Sequence, residues 1–140
     1  MKVLFVCRGN VGRSQIAEAL LKKKAGGFFR VSSAGTKLSG PEQPIGELMP
    51  DVDNLLKVMT EIGVDVSFNI RRRVTPEMAD EADKIIMLVD DQDQVPDYLT
   101  NNSKVIKWDI PDLKGKDTEF TRKTRNRISE LVDKLIEEYK

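Results

Sequence analysis

The chain has 140 residues, of which 39% are hydrophobic and 33% charged, with 23 basic and 23 acidic side chains. That length suits one domain with a substantial core, and the balanced charge gives no reason to expect nucleic acid or an acidic membrane surface as a partner. No apolar run approaches the roughly 20 residues of a membrane span, and the N-terminus lacks the layout of a signal peptide. We therefore expect a soluble, cytoplasmic globular protein without a membrane partner.

Two absences restrict the chemistry further. The chain has no histidine, which excludes a Ser-His-Asp or Cys-His triad and a histidine-based metal site. It has one cysteine, Cys7, which excludes an intramolecular disulfide and a thiolate zinc site. Any catalysis must therefore use Cys7, carboxylates, Lys and Arg side chains or hydroxyls.

Apolar runs of strand length alternate along the chain with helical patterns. The predicted strands are 2–7, 28–35, 83–89 and 104–108, and the predicted helices are 14–25, 52–62, one starting at Thr75-Pro76-Glu77, and 118–139. Loops are predicted at 36–50 and 109–115. The last helix is expected to bury Phe120, Ile128, Leu131, Leu135 and Tyr139. Such alternation predicts one α/β domain over 1–140, with a parallel sheet covered by helices on both faces.

Candidate catalytic side chains fall at one edge of this sheet. Cys7 ends the first strand, while Asp109 and Asp112 follow the fourth. Because ligands of such sheets bind at the carboxyl ends of the strands, we expect these residues to share a site although they are a hundred positions apart.

The segment CRGNVGRS, residues 7–14, has the features of an oxyanion-binding loop. Arg13 and the start of a helix bring positive charge, which stabilises both a thiolate and a phosphate dianion. The planar fork of Arg13 can hold two phosphoryl oxygens. Gly9 and Gly12 are expected to remove Cβ atoms where the backbone curls around the anion, and Asn10 tolerates a left-handed conformation. Ser14 can either donate its hydroxyl to Cys7 or cap the helix.

Three other positions have two interpretations each. Arg8 either adds positive charge at the mouth of the site or is an ordinary surface arginine. Val11 either marks a type of substrate or simply packs under the loop. The run 71–73, three arginines, is either a basic rim that attracts anions or, as we favour, a solvated loop.

The motifs CRGNVGRS, SSAGT at 32–36 and IPDL at 110–113 together resemble the low-molecular-weight protein-tyrosine-phosphatase family, which includes thioredoxin-coupled arsenate reductases. The resemblance covers essentially the whole chain. It implies a doubly wound sheet of flavodoxin-like order 2-1-3-4. It also implies Cys7 as the nucleophile of a phosphocysteine intermediate, Arg13 as the transition-state cation and Asp112, rather than Asp109, as the general acid. The phosphate-binding residues would be Arg8, Gly9, Asn10, Val11, Gly12, Arg13 and Ser14.

The implied activity is metal- and cofactor-independent hydrolysis of a phosphorylated protein or small phosphoester, with phosphate or another oxyanion as product and inhibitor. The chain departs from the family at Gly12, where a second cysteine is frequent, and at Leu113-Lys114, where an aromatic side chain would stack on a phenyl leaving group. Val11 is unlike the threonine that accompanies protein-arginine phosphatases.

Two alternatives to a phosphatase remain open. The arsenate reductases relay oxidation through cysteines on and after the third strand, and residues 85–96 contain none, so a reductase would need an external thiol. The third alternative is an oxyanion-binding or phosphocysteine carrier module, which would have no use for a general acid.

Overall fold

The computed structural model describes residues 1–140 and is built on one parallel sheet. Its strands are β1 (Lys2–Cys7), β2 (Arg30–Gly35), β3 (Lys84–Val89) and β4 (Val105–Asp109). They are arranged in the order β2-β1-β3-β4, which confirms the predicted 2-1-3-4 topology. The order reverses at β1, so the loop that follows Cys7 lies at the switch point where such sheets bind ligands.

Five α-helices connect and cover the strands. They are α1 (Arg13–Ala25), α2 (Asp53–Thr60), α3 (Pro76–Glu81), α4 (Asp97–Thr100) and α5 (Thr118–Tyr139), with short 3-10 turns at Gly26–Phe28 and Ile45–Leu48. The predicted start of α3 is confirmed, because Thr75 caps it by accepting a hydrogen bond from the backbone N–H of Met78. The one-turn helix α4 was not predicted, since four residues are too few to show a helical period.

Alternate side chains of the strands enter two separate cores. In β1, Val3, Phe5 and Cys7 belong to the larger core beneath α1, α2 and α5, while Leu4 and Val6 face the smaller core beneath α3 and α4. Burial on both faces explains why β1 reads as a continuous apolar run. The strand period of two therefore directs Cys7 toward the side of the sheet that carries α1.

The buried face of α5 differs in part from the predicted stripe. Ile128 and Leu135 are buried as expected, and Val132 lies between them, whereas Phe120, Leu131 and Tyr139 are only half-buried. Phe120 lies under the ammonium group of Lys116, 5.2 Å from its ring centre. The prediction was wrong at Phe120 because polar residues, including Thr121 and Thr124, occupy the inward positions of the first turns.

The arginine run at 71–73 is the solvated loop that we favoured only at Arg72 and Arg73, which are exposed. Arg71 is buried, and its guanidinium donates to the carbonyl of Pro41 and to side-chain oxygens of Ser39 and Gln43. It thereby fixes the long loop after β2 against the segment before α3.

No helix in the structure combines the length and the apolar character needed to cross a lipid bilayer.

Candidate active site

The loop between β1 and α1 turns sharply at Asn10. This residue has a φ of 52°, in the left-handed region that asparagine tolerates better than most residues. Its side chain is fully buried, so it cannot satisfy its amide with solvent. The conformation therefore depends on the hydrogen bonds that the amide makes inside the protein.

Hydrogen bonds on both sides of the Asn10 amide fix its orientation. The backbone N–H of Arg72 can only donate, so the atom 2.8 Å away must be Oδ1 of Asn10, the acceptor. The Nδ2 group then donates to Ser14 Oγ at 2.7 Å and to Ser33 Oγ at 3.0 Å. Asn10 thus ties the loop to α1, to β2 and to the segment before α3.

The serine that Asn10 holds is also in contact with the cysteine. Ser14 Oγ lies 3.0 Å from Cys7 Sγ, and both residues are buried. Because this oxygen already accepts a hydrogen bond from Asn10, its own hydroxyl hydrogen is free to point at the sulfur. Gly12, not Ser14, is the N-cap residue of α1, and it makes no side-chain cap. Of the two interpretations of Ser14, the geometry fits donation to Cys7.

Arg13 is held at one end of its guanidinium group. Nη1 donates to Asp93 Oδ2 at 2.9 Å and to the carbonyl of Ile110 at 2.9 Å, and Nη2 approaches Asp93 Oδ1 at 3.4 Å. The Nε–H and the second Nη2 hydrogen project from the adjacent edge of the planar group and make no protein hydrogen bond. That edge has the two parallel donors that a phosphoryl group or carboxylate accepts.

Both side chains of the Arg13–Asp93 ion pair are shielded from water. The side chains are 2% and 1% exposed, respectively. Burial alone would raise the pKa of Asp93, but the hydrogen bonds from Arg13 and from the backbone of Asp90, together with the charges of Arg13 and Arg8, outweigh burial and lower this pKa below its usual value. Burial alone would likewise lower the pKa of Arg13, but the Asp93 hydrogen bond and the charges of Cys7 and Asp112 raise it. Arg13 is therefore a permanent cation that interacts with both Cys7 and Asp112.

The two candidate acids differ in their placement. Asp112 is half-buried, and its charge acts on Arg13, whereas Asp109 is exposed at the end of β4 and is not among the groups that perturb Arg13. Oδ1 of Asp112 accepts from the backbone N–H of Lys114 at 3.1 Å, which leaves Oδ2 without a protein partner. The backbone N–H of Asp112 in turn donates to Asp90 at 3.3 Å. The loop after β4 is thus joined to the loop after β3.

The two glycines of the loop differ in their surroundings. A Cβ at Gly9 would meet no protein atom within 4 Å, so the role of Gly9 in making room for a bound anion stays a prediction. A Cβ at Gly12 would lie 3.2 Å from Cδ1 of Leu113, so here the glycine makes room for the residue that follows Asp112. Val11 is half-buried and packs against the larger core, and Arg8 is exposed at the mouth of the site.

Sequence reasoning did not single out Asp93, Asp90 or Ser33. Asp93 and Asp90 follow β3, and the rule that strand ends share an edge would have placed them beside Cys7. Ser33 lies in the SSAGT motif, and it accepts from Asn10 and donates to Glu18 at 2.5 Å. No three Cys, Asp or Glu side chains are grouped so as to hold a metal ion.

Comparisons with known proteins show the family of this chain. The family model described as low molecular weight phosphotyrosine protein phosphatase matches residues 2–140. A curated relative, the glutaredoxin arsenate reductase of Synechocystis sp., is 29% identical over 96% of this chain and 95% of its own.

Solved structures give the same result. A low molecular weight protein tyrosine phosphatase from T. tengcongensis superposes with a TM-score of 0.78 at 29% identity, over 99% of both chains. An arsenate reductase in its phosphate-binding state has a TM-score of 0.81 at 28% identity, over 99% of this chain and 98% of its own. The chain belongs to the low molecular weight phosphotyrosine protein phosphatase family, whose solved members include both phosphatases and arsenate reductases.

Proposed function

We propose that this protein is a metal-independent phosphomonoesterase that works through a phosphocysteine intermediate on Cys7. The observation that carries the proposal is the chain of contacts from Asn10 to Ser14 to Cys7, in which the Ser14 hydroxyl lies 3.0 Å from Sγ and can donate a hydrogen bond to it. A hydroxyl that donates to sulfur favours the thiolate, the nucleophilic form. The free edge of Arg13 adds the fork that a transferring phosphoryl group requires.

The first step transfers the phosphoryl group to the enzyme. Cys7 Sγ attacks phosphorus, and the bond to the leaving oxygen breaks. The Nε and Nη2 hydrogens of Arg13 hold two equatorial oxygens, while a protonated Asp112 gives its Oδ2 proton to the leaving oxygen. Asp93 takes no part in bond making; it holds the far end of Arg13 and so orients the free edge.

The second step regenerates the enzyme. Asp112, now a carboxylate, accepts a proton from water as the water oxygen attacks phosphorus. The phosphorus–sulfur bond breaks, and inorganic phosphate and the Cys7 thiolate are released. Splitting one displacement into two, each assisted by the same carboxyl group, lowers both barriers. The substrate is a phosphorylated protein or a small phosphoester.

The names of the relatives favour a second candidate, arsenate reduction. Arsenate would be bound by the same loop, and Cys7 would replace one of its oxygens, with release of water. Because Cys7 is the only cysteine, an external thiol would have to attack Sγ. The sulfur–arsenic bond would break with its electron pair moving to arsenic, giving arsenite and a mixed disulfide that a second external thiol would reduce.

The deciding experiment is hydrolysis of p-nitrophenyl phosphate at mildly acidic pH in the presence of a chelator, with the Cys7→Ser variant alongside. We expect turnover that survives the chelator and falls to background in Cys7→Ser. A parallel assay follows arsenite formation from arsenate with glutathione and glutaredoxin as the thiol source. Arsenite formation without phosphate-ester hydrolysis would replace the phosphatase with the reductase. Phosphate binding without either reaction would indicate a binding module.

A further inference from the structure

The structure contains a cavity of about 430 Å³ beside the candidate active site. Seven residues line it: Arg8, Thr36, Lys37, Gln92, Gln94, Val95 and Pro96. Arg8 directly follows Cys7, and the backbone N–H groups of Thr36 and Lys37 donate to the carbonyls of Cys7 and Arg8 at 2.9 and 2.8 Å. The cavity therefore adjoins the loop that carries the nucleophile.

The chemistry of the lining is cationic and polar. Arg8 and Lys37 are both exposed, and neither forms an ion pair within the protein. Thr36 adds a buried hydroxyl that has no hydrogen-bond partner, and two glutamines add amide groups. The lining has no aromatic side chain on which a flat leaving group could stack.

Two carboxylates of the loop after β3 have cationic partners. Asp93, which lies between the two glutamines of the lining in sequence, is paired with Arg13, and the charge of Arg8 also acts on it. Asp91 is 94% exposed at its side chain and lies 3.5 Å from the ammonium group of Lys107. The lining itself thus carries two cations and no carboxylate.

From this lining we infer that the cavity is a subsite for a second anionic group of the substrate, a carboxylate or phosphate carried by the part of the phosphomonoester that leaves. The inference rests on the proposed function and narrows its substrate class. Lys37 would act as the specificity-determining cation of this subsite, since two exposed cations near one bound anion favour it electrostatically. An aromatic phosphoester without a second anionic group would gain no binding affinity from the cavity.

The test compares binding of ligand pairs by titration calorimetry, so that it does not depend on turnover. The first pair is a peptide bearing phosphonomethyl-phenylalanine flanked by Glu or by Gln. The second pair is a hexose bisphosphate and the matching hexose monophosphate. Each pair is titrated into the wild-type protein, into Lys37→Gln and into the control Lys134→Gln, which removes an exposed lysine near the end of α5.

We expect the more anionic member of at least one pair to bind about threefold to fivefold more tightly to the wild type. This preference should vanish in Lys37→Gln, persist in Lys134→Gln and weaken as salt is added. A preference confined to the peptide pair would identify an acidic phosphoprotein as the source of the anion. A preference confined to the sugar pair would identify a small bisphosphate.

Equal binding within both pairs, or a preference that survives Lys37→Gln, would overturn the subsite. Hydrolysis of p-nitrophenyl phosphate by the same preparations separates this inference from the proposed function. We expect Lys37→Gln to hydrolyse that substrate at the wild-type rate, because it carries no second anionic group. A Lys37-dependent preference in a protein that hydrolyses nothing would overturn the phosphatase and leave the subsite standing.

Discussion

The carboxylate of Asp93, in the loop after β3, binds Arg13 and so links this loop to the segment that follows Cys7. It accepts from both Nη groups of Arg13, and Oδ2 also accepts from the backbone N–H of Asp90 at 2.8 Å. Since the buried guanidinium would otherwise keep its charge without a partner, the pair matters for stability as well as for orientation. Both consequences can be measured on a single variant.

The change Asp93→Asn keeps the shape of the side chain and removes its charge. We expect a loss of about 3 kcal/mol in the free energy of unfolding at neutral pH, because a buried cation loses its counter-ion. Since the pKa of Asp93 is lowered in the folded protein, its contribution is complete above the unfolded-state pKa of about 4 and is lost as pH falls below that value. Urea unfolding of the wild type and Asp93→Asn as a function of pH should therefore show the two curves converging in acid. A difference that does not depend on pH would contradict the assignment of the charge.

The acid assignment is tested with a matched pair, Asp112→Asn and Asp109→Asn. A leaving group that is already a stable anion needs little protonation, whereas an alkyl or unsubstituted phenyl oxygen needs a proton. We expect Asp112→Asn to slow an aryl phosphate with a poor leaving group by about 100-fold and p-nitrophenyl phosphate by much less, with Asp109→Asn near the wild-type rate. Equal slowing of both substrates by Asp112→Asn would count against its role as the acid.

At the scale of elements, α2 and α5 are joined by a buried arginine of α5. Arg125 is 8% exposed, and its Nη1 donates to the carbonyl of Val58 near the end of α2 at 2.6 Å and to Glu61 at 2.8 Å. Arg122 also pairs with Glu61 at 2.6 Å, and these contacts lower the pKa of Glu61 to about 2. The last carbonyls of α2 lack intrahelical partners, so the arginine satisfies a group that would otherwise need water.

Truncation of this arginine should loosen the contact between the two helices. We expect Arg125→Ala to lower the free energy of unfolding by about 2 kcal/mol, the worth of a hydrogen bond to a charged group. The control is Arg127→Ala on the same helix, whose side chain is 55% exposed and lies 3.6 Å from Glu130. Its effect should stay below about 0.5 kcal/mol in the same urea titration. Similar losses of unfolding free energy in the two variants would show that the buried contacts of Arg125 stabilise the protein no more than an exposed ion pair does.

At the scale of the whole molecule, the site is assembled from three segments that are distant in sequence. The loop after β1 provides Cys7 and Arg13, the loop after β3 provides Asp93, and the loop after β4 provides the Ile110 carbonyl and Asp112. Parallel strands bring these loops to one edge. An oxyanion bound by the free edge of Arg13 would therefore stabilise the folded arrangement as a unit.

Inorganic phosphate should accordingly raise the melting temperature of the protein. Binding to the folded state alone contributes about 2.7 kcal/mol at a ligand concentration one hundred times the dissociation constant. We expect the rise to be largely lost in Arg13→Ala and to be retained in Asp112→Asn, in scanning calorimetry with sulfate-free buffer. A rise of equal size in Arg13→Ala would mean that phosphate stabilises the protein without the predicted fork.

The sequence by itself determined the alternation of strands and helices and the position of Cys7 and Asp112 at one edge of the sheet. Short-range patterns carry that information, because burial on two faces leaves continuous apolar runs and the CRGNVGRS loop has a specific composition. The bounds of β1 and α5 were also predicted closely for this reason. The resemblance supplied the strand order, which the structure then confirmed.

Only the tertiary structure decided how the charged side chains are paired. Arg71 is buried and Arg72 is not, although the two are adjacent and identical, because the guanidinium of Arg71, unlike that of Arg72, donates to oxygens of the loop after β2. Asp93 binds Arg13 across 80 positions, and neighbouring carboxylates in the same run do not. A long charged side chain can reach several partners, so its sequence neighbourhood does not fix its contact, and the choice depends on which loops the sheet brings together.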